Sequence, residues 1–244
     1  MEQQNKVLAV IWDFDGTIAD SRQRNYNVTI KIVETILGKK PNSFPVLSSL
    51  DSYYTAHTKT INWREFYLDN FNIEEQLVDR AGALWTEYQL KDQTPIPLID
   101  GVKDVIERLS IYPQGIVSQN SKDNIVKYLK EKGIHHYIQD VIGYEEVHIA
   151  RQKPLPDGLI TCINKLTDSQ SGLVFFIGDH KTDVQCVQNA NEVLKNERRN
   201  IKVICLGAFY GIDADTSDWE VLPDFEIMDA GTIPNIINGF LVND

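Results

Sequence analysis

Cysteine is scarce in this sequence. Only Cys162, Cys186 and Cys205 occur, and no two of them form a Cys-x-x-Cys pair. An odd number of widely separated cysteines does not predict a disulfide scaffold, and no cluster of cysteines or histidines offers a zinc site. We therefore expect a protein of the reducing cytoplasm.

Long apolar runs are missing as well. The apolar run near the start of the chain, Val7–Trp12, has only six residues and leads directly into acidic residues. That is too short for the core of a signal peptide or for a membrane span, and no later segment approaches membrane length. The sequence therefore predicts no membrane partner.

Positive charge is in deficit. The chain has 24 Lys and Arg against 35 Asp and Glu, which gives a formal net charge of −11. This balance argues against nucleic acid or an anionic membrane as the main partner. An acidic protein that binds phosphate must concentrate positive charge locally, through a metal ion or a few placed Lys and Arg side chains.

Short apolar strands alternate with helices over most of the chain. The predicted strands are Val7–Trp12, Gln114–Ser118, Gln139–Gly143, Leu173–Ile177, Ile201–Leu206 and Phe225–Met228. The helices predicted between and after them are Asp100–Ser110, Ser121–Lys132, Pro156–Leu166, Lys181–Asn189 and Gly231–Leu241. This alternation predicts an α/β fold, a Rossmann-like parallel sheet core with helices on both faces. In such a sheet the ligand lies beyond the carboxyl ends of the strands.

Residues 21–94 differ from this pattern. They are rich in aromatic residues, their patterning is mostly helical, and they contain no convincing strand. We predict that they form an α-helical cap domain inserted after the first strand, while residues 1–20 and 95–244 form the catalytic core. The alternative is that this segment is more of the same domain. Asp20 is predicted to be the N-cap of the first helix, with Gln23 as its capping-box partner.

Polar side chains follow the ends of four predicted strands. In chain order they are Asp13, Asp15, Gly16 and Thr17 after the first strand, Ser118 at the end of the second, Lys153 after the third, and Asp179 and Asp183 after the fourth. Each is weak evidence alone, since such turns are often plain loops and a lysine before proline is usually at the surface. Their shared placement at strand ends predicts one site.

The carboxylates of this set point to a metal. Asp13, Asp15, Asp179 and Asp183 in one cleft would repel each other and raise one another's pKa values unless a cation neutralised them. Oxygen ligands of this kind suit Mg²⁺, which keeps several waters and bridges to phosphate.

Phosphoryl transfer is the chemistry that such a set can perform. A carboxylate beside Mg²⁺ can attack phosphorus and form an aspartyl phosphate. A second acid two residues later can protonate the leaving alcohol and then deprotonate water. Backbone amides after Asp15 and the Ser118 hydroxyl can hold phosphate oxygens, while Lys153 supplies positive charge.

The motifs D-x-D-G-T, a later strand-end Ser, K-P-x-P and G-D-x-x-x-D resemble those of the haloacid dehalogenase-like superfamily. The chain looks most like its phosphoglycolate-phosphatase-like branch, which carries a helical cap after the first motif. The resemblance implies Asp13 as nucleophile and Asp15 as general acid/base, with its backbone carbonyl on Mg²⁺. It also implies Ser118 and Lys153 as phosphoryl ligands beside the Gly16–Thr17 amides, and Asp179 as a direct metal ligand. For Asp183 the resemblance implies either ligation through water or an orienting role.

Two positions depart from the family pattern. Family members commonly have Asn directly after the second-motif Ser or Thr, whereas this chain has Gln119 and then Asn120. This leaves open which group contacts the substrate there. The fourth motif is followed by Asn189-Ala190-Asn191 instead of an Ala-Gly pair.

The sequence thus predicts a Mg²⁺-dependent phosphatase that hydrolyses a small-molecule phosphate monoester. One alternative is a phosphotransferase of the β-phosphoglucomutase type. Those enzymes usually carry a histidine ten residues after the second Asp, where this chain has Asn25, so hydrolysis is favoured. The other alternative is a catalytically idle binding module on the same fold. Neither the substrate nor the oligomeric state is predicted.

Overall fold

The computed structural model describes residues 6–211 and 216–241. The chain divides into two compact units. The first unit contains Met1–Ala19 and Leu98–Asp244, and the second contains Asp20–Pro97. That the second unit acts as a cap stays a prediction.

The first unit contains a parallel sheet. Its strands, as far as the structure describes the chain, are β1 Val7–Trp12, β2 Gln114–Val117, β3 Asp140–Ile142, β4 Ser171–Gly178, β5 Asn200–Ala208 and β6 Phe225–Ile227. Their order is β3-β2-β1-β4-β5-β6, and every neighbouring pair is parallel. From β1 the chain adds β2 and β3 on one side of the sheet, and from β4 it adds β5 and β6 on the other, so the strand order reverses between β1 and β4. Ligands of such sheets bind at this switch point, outside the carboxyl ends of the strands.

Helices fill both units. In chain order they are α1 Arg22–Leu37, α2 Leu50–Lys59, α3 Trp63–Phe71, α4 Glu75–Lys91, α5 Val102–Arg108, α6 Lys122–Glu131, α7 Asp157–Leu166, α8 Lys181–Asn196 and α9 Ile233–Gly239. The first four belong to the second unit and the others to the first. Within the described residues, no helix is both long and apolar enough to cross a membrane.

Both faces of the sheet are buried: alternate strand residues point to opposite faces, and all six residues of β1 are buried. On one face, Ile11 and Phe176 share a core with residues of α7 and α8. On the other face, the Trp12 indole donates to Gln114 Oε1 (3.0 Å), and Gln114 Nε2 donates to the carbonyl of Ile106 in α5 (2.9 Å). The predicted Rossmann-like fold with helices on both faces is therefore confirmed.

The second unit has its own hydrophobic core. Aromatic rings meet edge to face in it, with centroid distances of 5.3 Å for both Phe44–Phe71 and Tyr53–Phe66. Aliphatic side chains of α1 and α4, including Val28 and Val78, complete the cluster. The aromatic-rich composition of this segment is thus explained by packing, because each ring buries a large apolar area.

The predicted N-cap of α1 is wrong. Ser21 occupies the N-cap position and makes no side-chain capping bond there. The Asp20 carboxylate instead accepts hydrogen bonds from Arg22 Nε (2.8 Å) and Nη2 (2.7 Å). A guanidinium fork satisfies both carboxylate oxygens. Asp20 Oδ1 also accepts from the backbone N–H of Arg22 (3.3 Å), so Asp20 contacts the start of the helix from one residue before the N-cap.

Helix α8 continues past its predicted end at Asn189. Val187, Ala190 and Leu194 form one buried stripe at helical spacing, so each added turn still buries apolar surface. The polar residues that follow position 191 are therefore a helical extension of α8.

Asn191 fastens α8 to β5. Its Nδ2 donates to the carbonyl of Val203 (2.9 Å), and its Oδ1 accepts from the N–H of Val203 (2.8 Å). Strand β6 pairs with β5 only from Leu206 to Ala208, so this amide satisfies strand groups that β6 does not reach. This contact explains why Asn191 stands in the segment 189–191, which is one of the two places where the sequence departs from the family pattern.

Replacing this amide should cost stability. Asn191→Ala leaves two strand groups without their partner, so we expect the free energy of unfolding to fall by about 1–3 kcal/mol. The exposed neighbour Glu192 supplies a control, because Glu192→Ala should change it by less than about 0.5 kcal/mol. Urea unfolding of both variants makes the measurement, and equal effects would contradict the role given to Asn191.

Candidate active site

The loop after β1 is closed tightly by backbone hydrogen bonds. Asp13 N donates to the carbonyl of Ile177 in β4 (2.7 Å), and the N–H groups of Ile18 and Ala19 both donate to the carbonyl of Phe14 (2.9 and 3.0 Å). This arrangement holds Asp13 at the carboxyl end of β1, next to the end of β4. The Asp13 side chain is buried there.

Two glycines let the acidic side chains come close. Gly16 has φ +82°, and a Cβ at this position would lie 2.2 Å from Asp179 Oδ2. A Cβ on Gly178 would lie 2.5 Å from the carboxylate of Asp183. Only a residue without a side chain fits either place, so both glycines are part of the site's construction.

Three carboxylates form one cluster. Asp13 follows β1, Asp179 follows β4 and Asp183 lies in the first turn of α8. One oxygen of each lies within 4.8 Å of the others. The expected fourth carboxylate is not among them, because the Asp15 side chain accepts a hydrogen bond from Asn120 Nδ2 (2.8 Å). The structure thus brings together three of the four predicted acidic side chains.

Lys153 lies between two of these carboxylates. Its Nζ donates to Asp13 Oδ1 (2.7 Å) and to Asp183 Oδ1 (2.6 Å), and its side chain is only 6% exposed. Gln119 Nε2 donates to the carbonyl of Lys153 (2.9 Å), which ties the end of β2 to this loop. The lysine predicted from strand-end placement therefore reaches the same point as the acids.

Burial and neighbouring charges shift the pKa values of the ionisable groups in the cluster. Burial raises the pKa of Asp13 to about 6; Lys153 works against this rise and Asp183 adds to it. Burial and the neighbouring Asp13 raise the pKa of Asp179 well above its ordinary value. Burial disfavours the charge of Lys153, but the carboxylates of Asp13 and Asp183 hold its pKa above the usual range.

The donor set fits a hard divalent cation. One ammonium group among three carboxylates leaves two formal negative charges in a largely buried place. Carboxylate oxygens are the ligands that Mg²⁺ prefers, and its two charges match this excess. The residues present are therefore chemically suited to Mg²⁺.

Two of the predicted phosphate ligands, Ser118 and Thr17, have side-chain partners within the protein. Ser118 is buried, and its Oγ accepts from the N–H of Asn120 (3.2 Å). The Thr17 hydroxyl donates to Asp179 Oδ1 (2.9 Å), so this side chain orients an acid. If Thr17 binds phosphate, it therefore does so through its backbone N–H.

Sequence reasoning missed two neighbours of the site. Tyr210, just after β5, donates from its hydroxyl to the carbonyl of Thr17 (3.0 Å). Burial raises the pKa of Tyr210, and Asp179 and Asp13 add to the effect. Asn120, the partner of Asp15, departs from the family pattern, and the sequence alone assigns it no contact. Asn120 lies just beyond the end of β2 and Tyr210 just beyond the end of β5. This strand-end placement is the sequence feature that could have predicted their proximity to the site.

The sequence model of the haloacid dehalogenase-like hydrolase family matches residues 10–193. This chain belongs to that family, as its motifs indicated, and it is a hydrolase of the phosphatase type. A pyrophosphatase PpaX of Listeria monocytogenes (strain HCC23) is 34% identical over 189 residues, which cover 76% of this chain and 80% of the relative. A PpaX of Listeria innocua is 26% identical over the same shares.

Solved structures share the fold. A protein from Lactobacillus plantarum, assigned as a phosphoglycolate phosphatase, superimposes with a TM-score of 0.75 at 20% identity and covers 94% of this chain and 98% of its own. A haloacid dehalogenase-like hydrolase from Streptococcus pneumoniae gives a TM-score of 0.67 at 17% identity, with shares of 94% and 98%. At such identities the likeness concerns the fold alone.

Gly16 offers a direct test of the site's construction. Gly16→Ala places a methyl group on Asp179, and a displacement of about 1 Å can cost 10²-fold in turnover. Gly133→Ala is the matched control, since Gly133 also has positive φ (+71°) but no atom within 4 Å of its Cβ position. Both variants should lose stability. Only Gly16→Ala should lose turnover of 4-nitrophenyl phosphate, and equal turnover in the two would contradict this account.

Proposed function

We propose that the protein is a magnesium-dependent phosphatase that hydrolyses a small-molecule phosphate monoester through an aspartyl phosphate on Asp13. The observation that carries the proposal is the buried cluster of Asp13, Asp179 and Asp183 around Lys153 at the carboxyl ends of β1 and β4. It combines a carboxylate nucleophile with the charge needed to receive a phosphate dianion. The cytoplasmic location expected from the sequence stays a prediction.

In the first step, the Asp13 carboxylate attacks phosphorus. The bond between phosphorus and the ester oxygen breaks, its electron pair stays with that oxygen, and the Asp15 carboxyl gives the oxygen a proton. The alcohol leaves, and Asp13 carries the phosphoryl group. Lys153 already holds Asp13 Oδ1, so the carboxylate is oriented before substrate binds.

In the second step, Asp15, now a carboxylate, takes a proton from water as the water oxygen attacks phosphorus. The bond between phosphorus and Asp13 breaks, and inorganic phosphate leaves. Asp15 ends this step protonated, ready for the next substrate. Lys153, the Ser118 hydroxyl and the Thr17 amide hold the phosphoryl oxygens through both steps. The Gly16 amide, which the sequence also predicted as a phosphate ligand, donates to the carbonyl of Ala19 instead (2.9 Å).

Asp13, Asp179 and the backbone carbonyl of Asp15 would hold Mg²⁺. The bound ion would offset the repulsion between the attacking carboxylate and the phosphate dianion. Asp183 fits the orienting role better than that of a direct ligand, because its Oδ1 accepts from Lys153 and its Oδ2 accepts from the N–H of His180 (3.0 Å).

Pyrophosphate hydrolysis is a second candidate. It is favoured by the PpaX pyrophosphatases of Listeria, which are up to 34% identical to this chain. The same nucleophile can attack a phosphoanhydride, whose phosphate leaving group depends less on a proton from Asp15. A kcat/KM panel of phosphorylated metabolites and pyrophosphate distinguishes the two, and product analysis distinguishes both from phosphoryl transfer to a sugar phosphate.

Metal removal should abolish activity. Chelation with EDTA leaves the buried carboxylates uncompensated, so turnover of 4-nitrophenyl phosphate should vanish and should return when Mg²⁺ is added in excess. Zn²⁺ should restore it poorly, because the site has oxygen ligands and no thiolate or imidazole among them. Full turnover after exhaustive chelation would contradict the proposed metal dependence.

The two acids of the first motif should fail differently. Asp13→Asn should prevent formation of the phospho-enzyme altogether. Asp15→Asn should keep the nucleophile but lower turnover by about 10²–10⁴-fold, because general acid/base help is lost. The exposed Asp168 provides the control, and Asp168→Asn should leave turnover unchanged. Near-native turnover of Asp13→Asn would show that Asp13 is not the nucleophile.

A further inference from the structure

Asn120 lies beside Asp15 and has no part in the chemistry described so far. It comes two residues after Ser118, its side chain is buried, and its Nδ2 donates to Asp15 Oδ2 at 2.8 Å. Asp15 comes from the loop after β1 and Asn120 from the loop after β2. The bond therefore joins two strand ends that are 105 residues apart in sequence.

The orientation of this amide follows from its other contacts. Asn120 Oδ1 accepts from the backbone N–H of Ser121 (2.7 Å) and from Asn124 Nδ2 (3.4 Å). A backbone N–H can only donate, so the atom that faces it must be the amide oxygen. The amide nitrogen then necessarily faces Asp15.

The backbone around Asn120 is also held in place. Its N–H donates to Ser118 Oγ (3.2 Å), and its carbonyl accepts from the N–H of Tyr144 (3.1 Å). Ser121 caps the next helix, α6, by accepting from the N–H of Asn124 (3.2 Å). Asn120 thus projects from a fixed junction between β2 and α6, which is the kind of support that a catalytic side chain needs.

Gln119 shows that the two amides after Ser118 have separate targets. In this family an Asn commonly stands directly after the strand-end Ser or Thr, but here Gln119 donates to the carbonyl of Lys153 (2.9 Å). The amide of Gln119 therefore supports the loop that carries Lys153, and the amide of Asn120 supports the Asp15 side chain.

We propose that Asn120 is the positioning residue of Asp15, an inference that rests on the proposed function. Its amide donates to Asp15 Oδ2, and this bond fixes the side chain of the acid relative to the end of β2. In the proposed first step Asp15 gives its proton to the leaving oxygen, and Asn120 holds Asp15 in the orientation from which that transfer occurs. Asn120 itself touches neither the substrate nor the reacting atoms.

The variant Asn120→Asp isolates this bond. It keeps the side-chain size and the oxygen that faces the Ser121 N–H, but it removes the N–H donor to Asp15. Asn120→Ala removes both contacts and serves as a second variant without an added charge. Asn191→Ala is the matched control, because it removes another part-buried, doubly bonded asparagine that lies in α8.

The measurement is kcat/KM across para-substituted phenyl phosphates of similar size, whose phenol leaving groups differ in basicity. Basic phenols need the proton from Asp15, whereas 4-nitrophenolate leaves without it. We expect both Asn120 variants to lose about 10²-fold with the most basic phenol and less than about threefold with 4-nitrophenyl phosphate. Asn191→Ala should show no dependence on the leaving group.

Asp15→Asn in the same series separates the inference from the function on which it rests. If Asp15→Asn lowers kcat/KM by the same factor for every leaving group, Asp15 is not the general acid, and the role proposed for Asn120 is wrong as well. A leaving-group dependence in Asp15→Asn but uniform losses in both Asn120 variants would overturn the positioning role alone. In the double variant Asp15→Asn/Asn120→Ala, we expect no further loss with basic phenols, because the two residues act as one unit.

Discussion

The pairing of the Lys153 ammonium with Asp13 and Asp183 is the interaction on which the rest of the site depends. Taking charges out of water is costly, and it is repaid only when geometry and hydrogen bonding are good. Here one ammonium meets two carboxylates at 2.7 and 2.6 Å, and Asp179 adds a third negative group. The packed sheet must supply free energy that holds these groups together, since one ammonium does not offset the repulsion among three buried carboxylates.

The surrounding residues follow from this constraint. Gly16 and Gly178 bring the backbone close to the carboxylates of Asp179 and Asp183, where any side chain would collide. Thr17 then binds Asp179, and Tyr210 binds the backbone of Thr17. These contacts keep the acids near each other at the cost of electrostatic strain. A divalent cation bound here would relieve that strain, so the arrangement that opposes folding would favour metal binding.

Strand-end placement predicted much of this site because parallel strands end at one edge of the sheet. Asp13, Lys153 and the pair Asp179 and Asp183 come from three distant segments and meet at one place, as their strand-end placement predicted. The alternation of strands and helices correctly predicted the fold. Side-chain hydrogen bonding within loops was not predictable in the same way. The spacing of Asp13 and Asp15 suggested a shared cluster, but the tight turn at Phe14 and the amide of Asn120 hold the Asp15 carboxylate apart. Helix α8 ends at Asn196 and not at the predicted Asn189, and the polar stretch that begins at Glu192 starts as the solvated helical extension that its composition favours.

The covalent intermediate on Asp13 is the central claim, and chemical trapping tests it most directly. An aspartyl phosphate can be reduced by borohydride to homoserine, which peptide mass spectrometry locates along the chain. Enzyme quenched during turnover in the presence of Mg²⁺ is predicted to carry homoserine at position 13, and enzyme without substrate is predicted to carry none. Reduction at another aspartate, or an unmodified Asp13 under conditions in which an Asp15→Asn variant should accumulate the intermediate, would contradict the account.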